Sequence, residues 1–152
     1  MLLTVVVILV FEFVPSIFTR HFFKPQTKDV ITFSEKELSC LIHSEAKAND
    51  IDDMLLVGSV VLNRVNFKRF PESLFEVIYQ RGQFDGVSTR NFKRSELSDM
   101  VAVYLLRGGL RDYRVLFFFN PKTATDQKFI NYIYKKYSFI RRSRGHVYFG
   151  IK

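Results

Sequence analysis

The 152-residue chain has a single cysteine, Cys40, no tryptophan, four prolines and three histidines. One cysteine forbids an intrachain disulfide and leaves nothing from which to build a thiolate metal cluster. No His with Asn or Asp stands around Cys40 in a recognisable nucleophile motif, so it reads as a small core or near-core residue. His21, His43 and His146 are scattered and form no H-E-x-x-H pattern, so neither a metal nor any other cofactor is expected. There is also no internal repeat, no low-complexity tract and no zinc-finger, basic-zipper or RNA-recognition signature. The net charge of +8 and pI of about 9.7 therefore imply attraction to polyanions in general, an anionic membrane face or acidic wall polymers among them, and not a nucleic-acid partner.

What is present is a globular composition: 47% apolar and 25% charged residues, enough for one domain with a core. Seventeen Phe and seven Tyr predict an aromatic interior, part of which could line a groove for a ring-shaped ligand. Met1 to Phe18 is nearly all apolar, interrupted by Thr4, Glu12, Pro15 and Ser16 and followed by Arg20, His21 and Lys24. It is short of the roughly 20 apolar residues of a spanning helix. It also lacks the basic start and small-residue end of a cleaved signal. Residues 1–20 read as an apolar signal-anchor or membrane segment, with a buried N-terminal strand or helix as the alternative. The charges after the apolar run oppose export under the positive-inside rule. Residues 21–32 read as a linker and 33–152 as the folded domain.

Ser34-Glu35-Lys36-Glu37 has capping-box spacing and predicts a helix start. Leu38, Leu41 and Ile42 then form an apolar stripe whose next member, at i+7, is Glu45. On spacing alone this carboxylate either faces inward or turns to solvent or to a base such as Arg64, and His43 lies on a different, surface face. Asn49 to Asp53 opens a second helix with the stripe Met54, Val57, Gly58, Val61, Leu62 and Val65, expected to be the central core helix. Gly58 on that stripe implies close approach of another backbone. Asn63 and Arg64 are either surface residues or aimed at the cleft of Glu45. Pro71 and Ser73 lead into a short helix, Leu74 to Tyr79, and 80–90 is a glycine-containing loop of the kind that borders sites. Ser95 caps a fourth helix with Leu97, Met100, Val101, Tyr104 and Leu105 inward, stopped at Gly108-Gly109. Val115 to Phe119 reads as a buried strand, and 137–140 and 146–151 as two more around a basic turn. Helices first and a small antiparallel sheet afterwards is an α+β pattern.

The strings IHSEAKAND, VGSVVLNRV, FPESLFEVIYQRGQF, FFFNPKTA and GHVYF, in this order across Phe33 to Phe149, resemble the cell wall hydrolase family that includes the SleB-type spore-cortex-lytic enzymes. The resemblance implies a lysozyme-like α+β domain with a groove for peptidoglycan glycan strands, acting outside the cytoplasm as a monomer. It implies Glu45 as the catalytic glutamate. Tyr79, Gln83 and Phe84 fall in the YQ-x-GQF block, Asn120 in the F-N-P block and His146 in the terminal H-x-F, all expected to bind substrate, with Asn63 beside them. Two stretches depart from the family pattern: Ala46-Lys47-Ala48-Asn49 stands where A-R-G-E is usual, and Asp85-Gly86 follows GQF where Pro or Ser is usual.

Cleaving a glycosidic bond requires a proton for the leaving oxygen, and a carboxylic acid among apolar neighbours is disposed to carry one. Hydrolysis needs a second carboxylate, about 5 Å or about 6.5–9.5 Å away. None is evident in the matched blocks, so the expectation is a lytic transglycosylase with one acid/base, cutting between N-acetylmuramic acid and N-acetylglucosamine. Asp50, Asp52, Asp53 and Asp85 are the candidates if a second carboxylate takes part. The rival from another class is a non-catalytic wall-binding module on the same scaffold, and a basic membrane-surface or nucleic-acid binder stands third.

Overall fold

The Thr32 hydroxyl accepts the Glu35 backbone N–H at 3.2 Å, and the Glu35 carboxylate accepts the Thr32 N–H at 2.7 Å. This reciprocal capping box opens helix α1, Phe33–Glu45. The computed structural model describes residues 31–46, 48–84 and 93–151. The expected membrane segment 1–20, the linker up to residue 30, Lys47 and Asp85 lie outside the described residues. Among the described residues no helix is long and apolar enough to cross a membrane.

The cap expected at Ser34 with Glu37 is corrected to Thr32 with Glu35, two residues earlier. Both four-residue strings have the required spacing. The earlier one turns Glu35 inward, to 3% exposure, where Arg107 Nε donates to it at 3.0 Å. Leu38, Leu41 and Ile42 are fully buried along α1, and Glu45 ends the helix half-buried.

Asp50 caps helix α2, Ile51–Val65, by accepting the Asp53 N–H at 3.1 Å. From Asp53 to Arg64 every residue but Leu55 is buried, which makes α2 the centre of the molecule. Gly58 has close neighbours, but they are side chains and not backbone: a Cβ there would lie 2.4 Å from Leu105 Cδ1 and 3.1 Å from Ile42 Cδ1. Ser73 caps the short α3, Leu74–Ile78, and Ser95 caps α4, Glu96–Leu106. A left-handed Gly108 (φ 90°) ends α4, with Gly109 N–H donating to the Tyr104 carbonyl at 2.8 Å and Gly108 N–H to Leu105 at 3.3 Å. That pair of bonds is a Schellman motif.

Strands β1, Val115–Phe119, β2, Ser138–Arg142, and β3, Val147–Gly150, form an antiparallel sheet in the order β1-β3-β2. Between β1 and β2 lies a helix that the sequence reading passed over, α5, Gln127–Lys136, capped by Asp126. Apart from that insertion the order is the expected one, a helical core followed by a small three-stranded antiparallel sheet. A register irregularity between Val115 and Phe117 re-aims β1. Val115 and Phe118 join the helical core with Tyr148, while Leu116, Phe117 and Phe119 join Ile133, Tyr137, Val147 and Phe149 in a second core under α5. In that second core Phe119 and Phe149 stack at 5.6 Å and Phe117 meets Tyr137 at 4.4 Å, which accounts for much of the aromatic content.

Candidate functional site

Asn63 and Arg64, read from the sequence as surface residues or as groups aimed at the cleft of Glu45, are not at the surface. Both are buried at the end of α2, where they fasten β1 to it. Asn63 Nδ2 donates to the carbonyls of Asp112 and Val115, each at 2.8 Å, and Arg64 Nε donates to the Leu116 carbonyl at 2.9 Å. With both amide protons committed to backbone, Asn63 braces β1 against α2. Arg64 lies among Phe70, Phe84 and Phe117, with its guanidinium carbon 4.9–5.3 Å from their ring centres. Burial brings its guanidinium down to about 10. The aromatic faces offset part of that desolvation.

From this position Arg64 Nη1 donates to Gln83 Oε1 at 3.2 Å, so the buried cation holds the loop that follows α3. Phe84, next in that loop, is buried and stacks on Phe118 at 6.2 Å. The half-buried Phe118 ring meets His146 edge-on at 5.0 Å and Tyr148 at 5.7 Å. Gln83, Phe84 and His146, 63 residues apart at their extremes, are thus gathered around Arg64 and Phe118. They form one continuous constellation.

His146 Nδ1 lies 3.0 and 3.2 Å from the two carboxylate oxygens of Asp53, which is fully buried in the first turn of α2. Glu45 closes α1, and only residues 46–50 separate it from the start of α2. Glu45 and Asp53 therefore flank the same helix junction. In that junction Asn49 adopts φ 61°, a left-handed conformation that asparagine tolerates better than other non-glycine residues. Asn49 of the A-K-A-N departure thus has a defined backbone conformation.

Tyr79 caps the end of α3 and is partly exposed. Its hydroxyl donates to Glu37 Oε2 on α1 in a short contact, and its ring lies 4.4 Å from the exposed Phe75. Burial and then the Glu37 carboxylate push the Tyr79 hydroxyl well above the usual tyrosine range. Asn120 shapes the turn after β1: its Oδ1 accepts the Lys122 N–H at 2.9 Å, and its carbonyl accepts Thr123 and Ala124. Among the described residues no hydrogen bond or ring contact joins Tyr79 or Asn120 to Phe118.

Three of the four candidate second carboxylates are described, and each has other employment. Asp50 caps α2. Asp52 is paired with Arg141 at 2.8 Å beside a pocket of about 490 Å³ that contains none of the expected groove residues. Asp53 is enclosed. Among the described residues no group of His, Cys, Asp and Glu is placed to hold a metal. The residues missed from sequence are Phe118, Arg64 as the loop holder, and Asp53 as the partner of His146. The H-x-Y alternation before β3, which puts His146 and Tyr148 on one face, was the available signal.

Comparison with known proteins agrees with this architecture. The chain is 26% identical over 98 residues to the spore cortex-lytic enzyme of Bacillus subtilis (strain 168), a match over 61% of this chain and 32% of that protein. The chain thus spans about a third of that relative's length. The catalytic domain of the Bacillus cereus SleB protein superposes with a TM-score of 0.63 at 20% identity, over 83% of this chain and 98% of that one. The catalytic domain of the germination-specific lytic transglycosylase SleB from Bacillus anthracis gives 0.65 at 20% identity, over 80% and 98%. These likenesses establish the fold. The sequence profile of the Cell Wall Hydrolase family matches residues 48–149, beginning three residues after Glu45. That match spans most of the described domain, and the chain belongs to the cell wall hydrolase family.

Proposed function

We propose that this domain cuts peptidoglycan glycan strands between N-acetylmuramic acid and N-acetylglucosamine as a lytic transglycosylase, on a lysozyme-like scaffold outside the cytoplasm. Glu45 is its single acid/base. The observation that carries the reading is the place of Glu45: half-buried, at the end of the helix whose apolar stripe is Leu38, Leu41 and Ile42, with five residues between it and α2. A helix C-terminus is an unfavourable place for negative charge, which suits a carboxyl that must first give a proton. The structurally similar Bacillus anthracis protein is a lytic transglycosylase, which supports the same reaction class.

In this reaction Glu45 protonates the departing glycosidic oxygen as the bond to C1 of muramic acid breaks. The C6 hydroxyl of the same sugar then attacks C1 and returns its proton to Glu45, leaving a 1,6-anhydro end without consuming water. No second carboxylate is needed. This is consistent with Asp50, Asp52 and Asp53 being engaged elsewhere. Gln83, Phe84 and His146 would bind the strand from the Phe118 side, and Tyr79 and Asn120 would border it. The segment 1–20 would hold the domain at a membrane.

The test is Glu45→Gln in the full chain, incubated with purified peptidoglycan. General acid–base catalysis contributes about 10²–10⁴-fold, so fragment release should fall by that order while the unfolding temperature is kept. Mass spectrometry of wild-type fragments should show anhydro ends; ends heavier by one water would mean hydrolysis. A wild-type chain that binds wall and releases nothing would instead be a binding module.

A further inference from the structure

Asp53 does more than occupy a core position, because its carboxylate gathers three side-chain donors from the β2–β3 turn and β3. Tyr148 Oη donates to Oδ1 at 2.7 Å, Ser143 Oγ donates to Oδ1 in a short contact, and His146 Nδ1 lies 3.0 Å from Oδ2. The Ser143 hydroxyl accepts the backbone N–H groups of His146 and Gly145, at 3.1 and 3.3 Å, so its own proton is left for Asp53. Tyr148 is also a donor: burial, and after it the charge of Asp53, pushes its hydroxyl far above the ordinary tyrosine range. A carboxylate in the first turn of α2 is further favoured by the helix N-terminus.

With Tyr148 and Ser143 both donating to it, Asp53 is an acceptor, and the proton between it and His146 is assigned to Nδ1. The neutral ring then carries its lone pair on Nε2. Nε2 has no hydrogen-bond partner among the described residues, and the His146 side chain retains 12% exposure. The edge contact with Phe118 and the Asp53 bond together fix the ring. A mere brace between α2 and the sheet would be complete with Tyr148 and Ser143. The imidazole adds one further acceptor, held in place by its Asp53 and Phe118 contacts.

We propose that Asp53 is a positioning residue that locks His146 in the Nδ1–H tautomer, so that Nε2 accepts a hydrogen bond from a sugar O–H or acetamido N–H of the bound strand. This deepens the proposed function and rests on it only for the identity of the ligand. His146 contacts substrate, Asp53 acts through it, and neither replaces Glu45.

The test begins with the wild-type full chain labelled with ¹⁵N. At a pH where the ring is neutral, long-range proton–nitrogen correlation should show His146 protonated at Nδ1 and bare at Nε2, the reverse of the tautomer that free histidine favours. Soluble glycan strands from purified peptidoglycan should then shift the Nε2 resonance most. His146→Leu should raise KM roughly tenfold, the worth of about one hydrogen bond, with kcat within about twofold. His146→Gln, whose amide oxygen reaches the place of Nε2, should recover most of that loss. A ring protonated at Nε2, an Nε2 indifferent to glycan, or a KM unchanged in His146→Leu would each overturn the proposal. If the wild type cut nothing, the tautomer and the glycan-induced shift would still decide it, so failure of the cleavage reading and failure of this one remain distinguishable.

Discussion

Arg64 reaches from the last turn of α2 to Gln83 at 3.2 Å, so a buried cation on the central helix determines where the loop after α3 sits. The same guanidinium satisfies the Leu116 carbonyl of β1 at 2.9 Å. One side chain therefore ties the loop and the sheet to the helical core.

Arg64→Met should keep the aliphatic bulk while leaving the Leu116 carbonyl buried without a donor, a loss of about 1–3 kcal/mol by chemical denaturation. The glycan affinity proposed to rest on Gln83 and Phe84 should fall with it. The sign of the pH effect follows from the lowered guanidinium value. The folded state then binds fewer protons than the unfolded one above about pH 10, so the wild type should gain stability relative to Arg64→Met as pH rises past that value. Paired denaturation curves at about pH 8 and about pH 11 check it.

Glu35 provides the acid-side counterpart. Burial alone would raise its carboxyl, but the Thr32 N–H and hydroxyl and then Arg107 together hold it below the ordinary glutamate range. A carboxylate lowered on folding contributes stability above its unfolded value and loses it as pH falls through its folded one. Glu35→Gln should accordingly be less stable than wild type near neutrality, by about 1 kcal/mol if the cap and ion pair are worth their usual amounts. The gap should close below about pH 4, as read from unfolding temperatures across a pH series.

The helices were legible where a side-chain cap precedes an aliphatic stripe. Asp50 before Met54, Val57 and Val61, and Ser95 before Val101 and Leu105, are such cases. Helix α5 was not, because its one fully buried residue is Ile133, joined inward only by the half-buried Ile130, among lysines and exposed aromatics. The burial of Asn63 and Arg64 was not legible for a different reason. A polar residue on a helix flank ordinarily meets water, and only the docking of β1 carbonyls against α2 removes them from it. Glu45 could be placed on its stripe by periodicity, whereas Asp53 looked like one more acidic residue at a helix start. Its partner His146 lies 93 residues away, and no local pattern announces that pairing.

Gly150 and Gly58 make a contrast that chain conformation alone would not reveal. Gly150 occupies the central strand, opposite both Val115 and Ser138, and a Cβ there would fall 1.7 Å from the Arg114 carbonyl oxygen. Backbone cannot step aside without opening the β1–β3 ladder. At Gly58 the nearest obstacle is the end of the Leu105 side chain, which can change rotamer, and alanine gains about 1 kcal/mol of helix propensity over glycine. Gly150→Ala should therefore cost more than about 3 kcal/mol, while Gly58→Ala should stay within about 1–2 kcal/mol of wild type, because overpacking offsets the propensity gain. Equilibrium urea unfolding of the two variants measures the difference. A Gly150→Ala chain as stable as wild type would mean that β3 does not pair with β1 in this register.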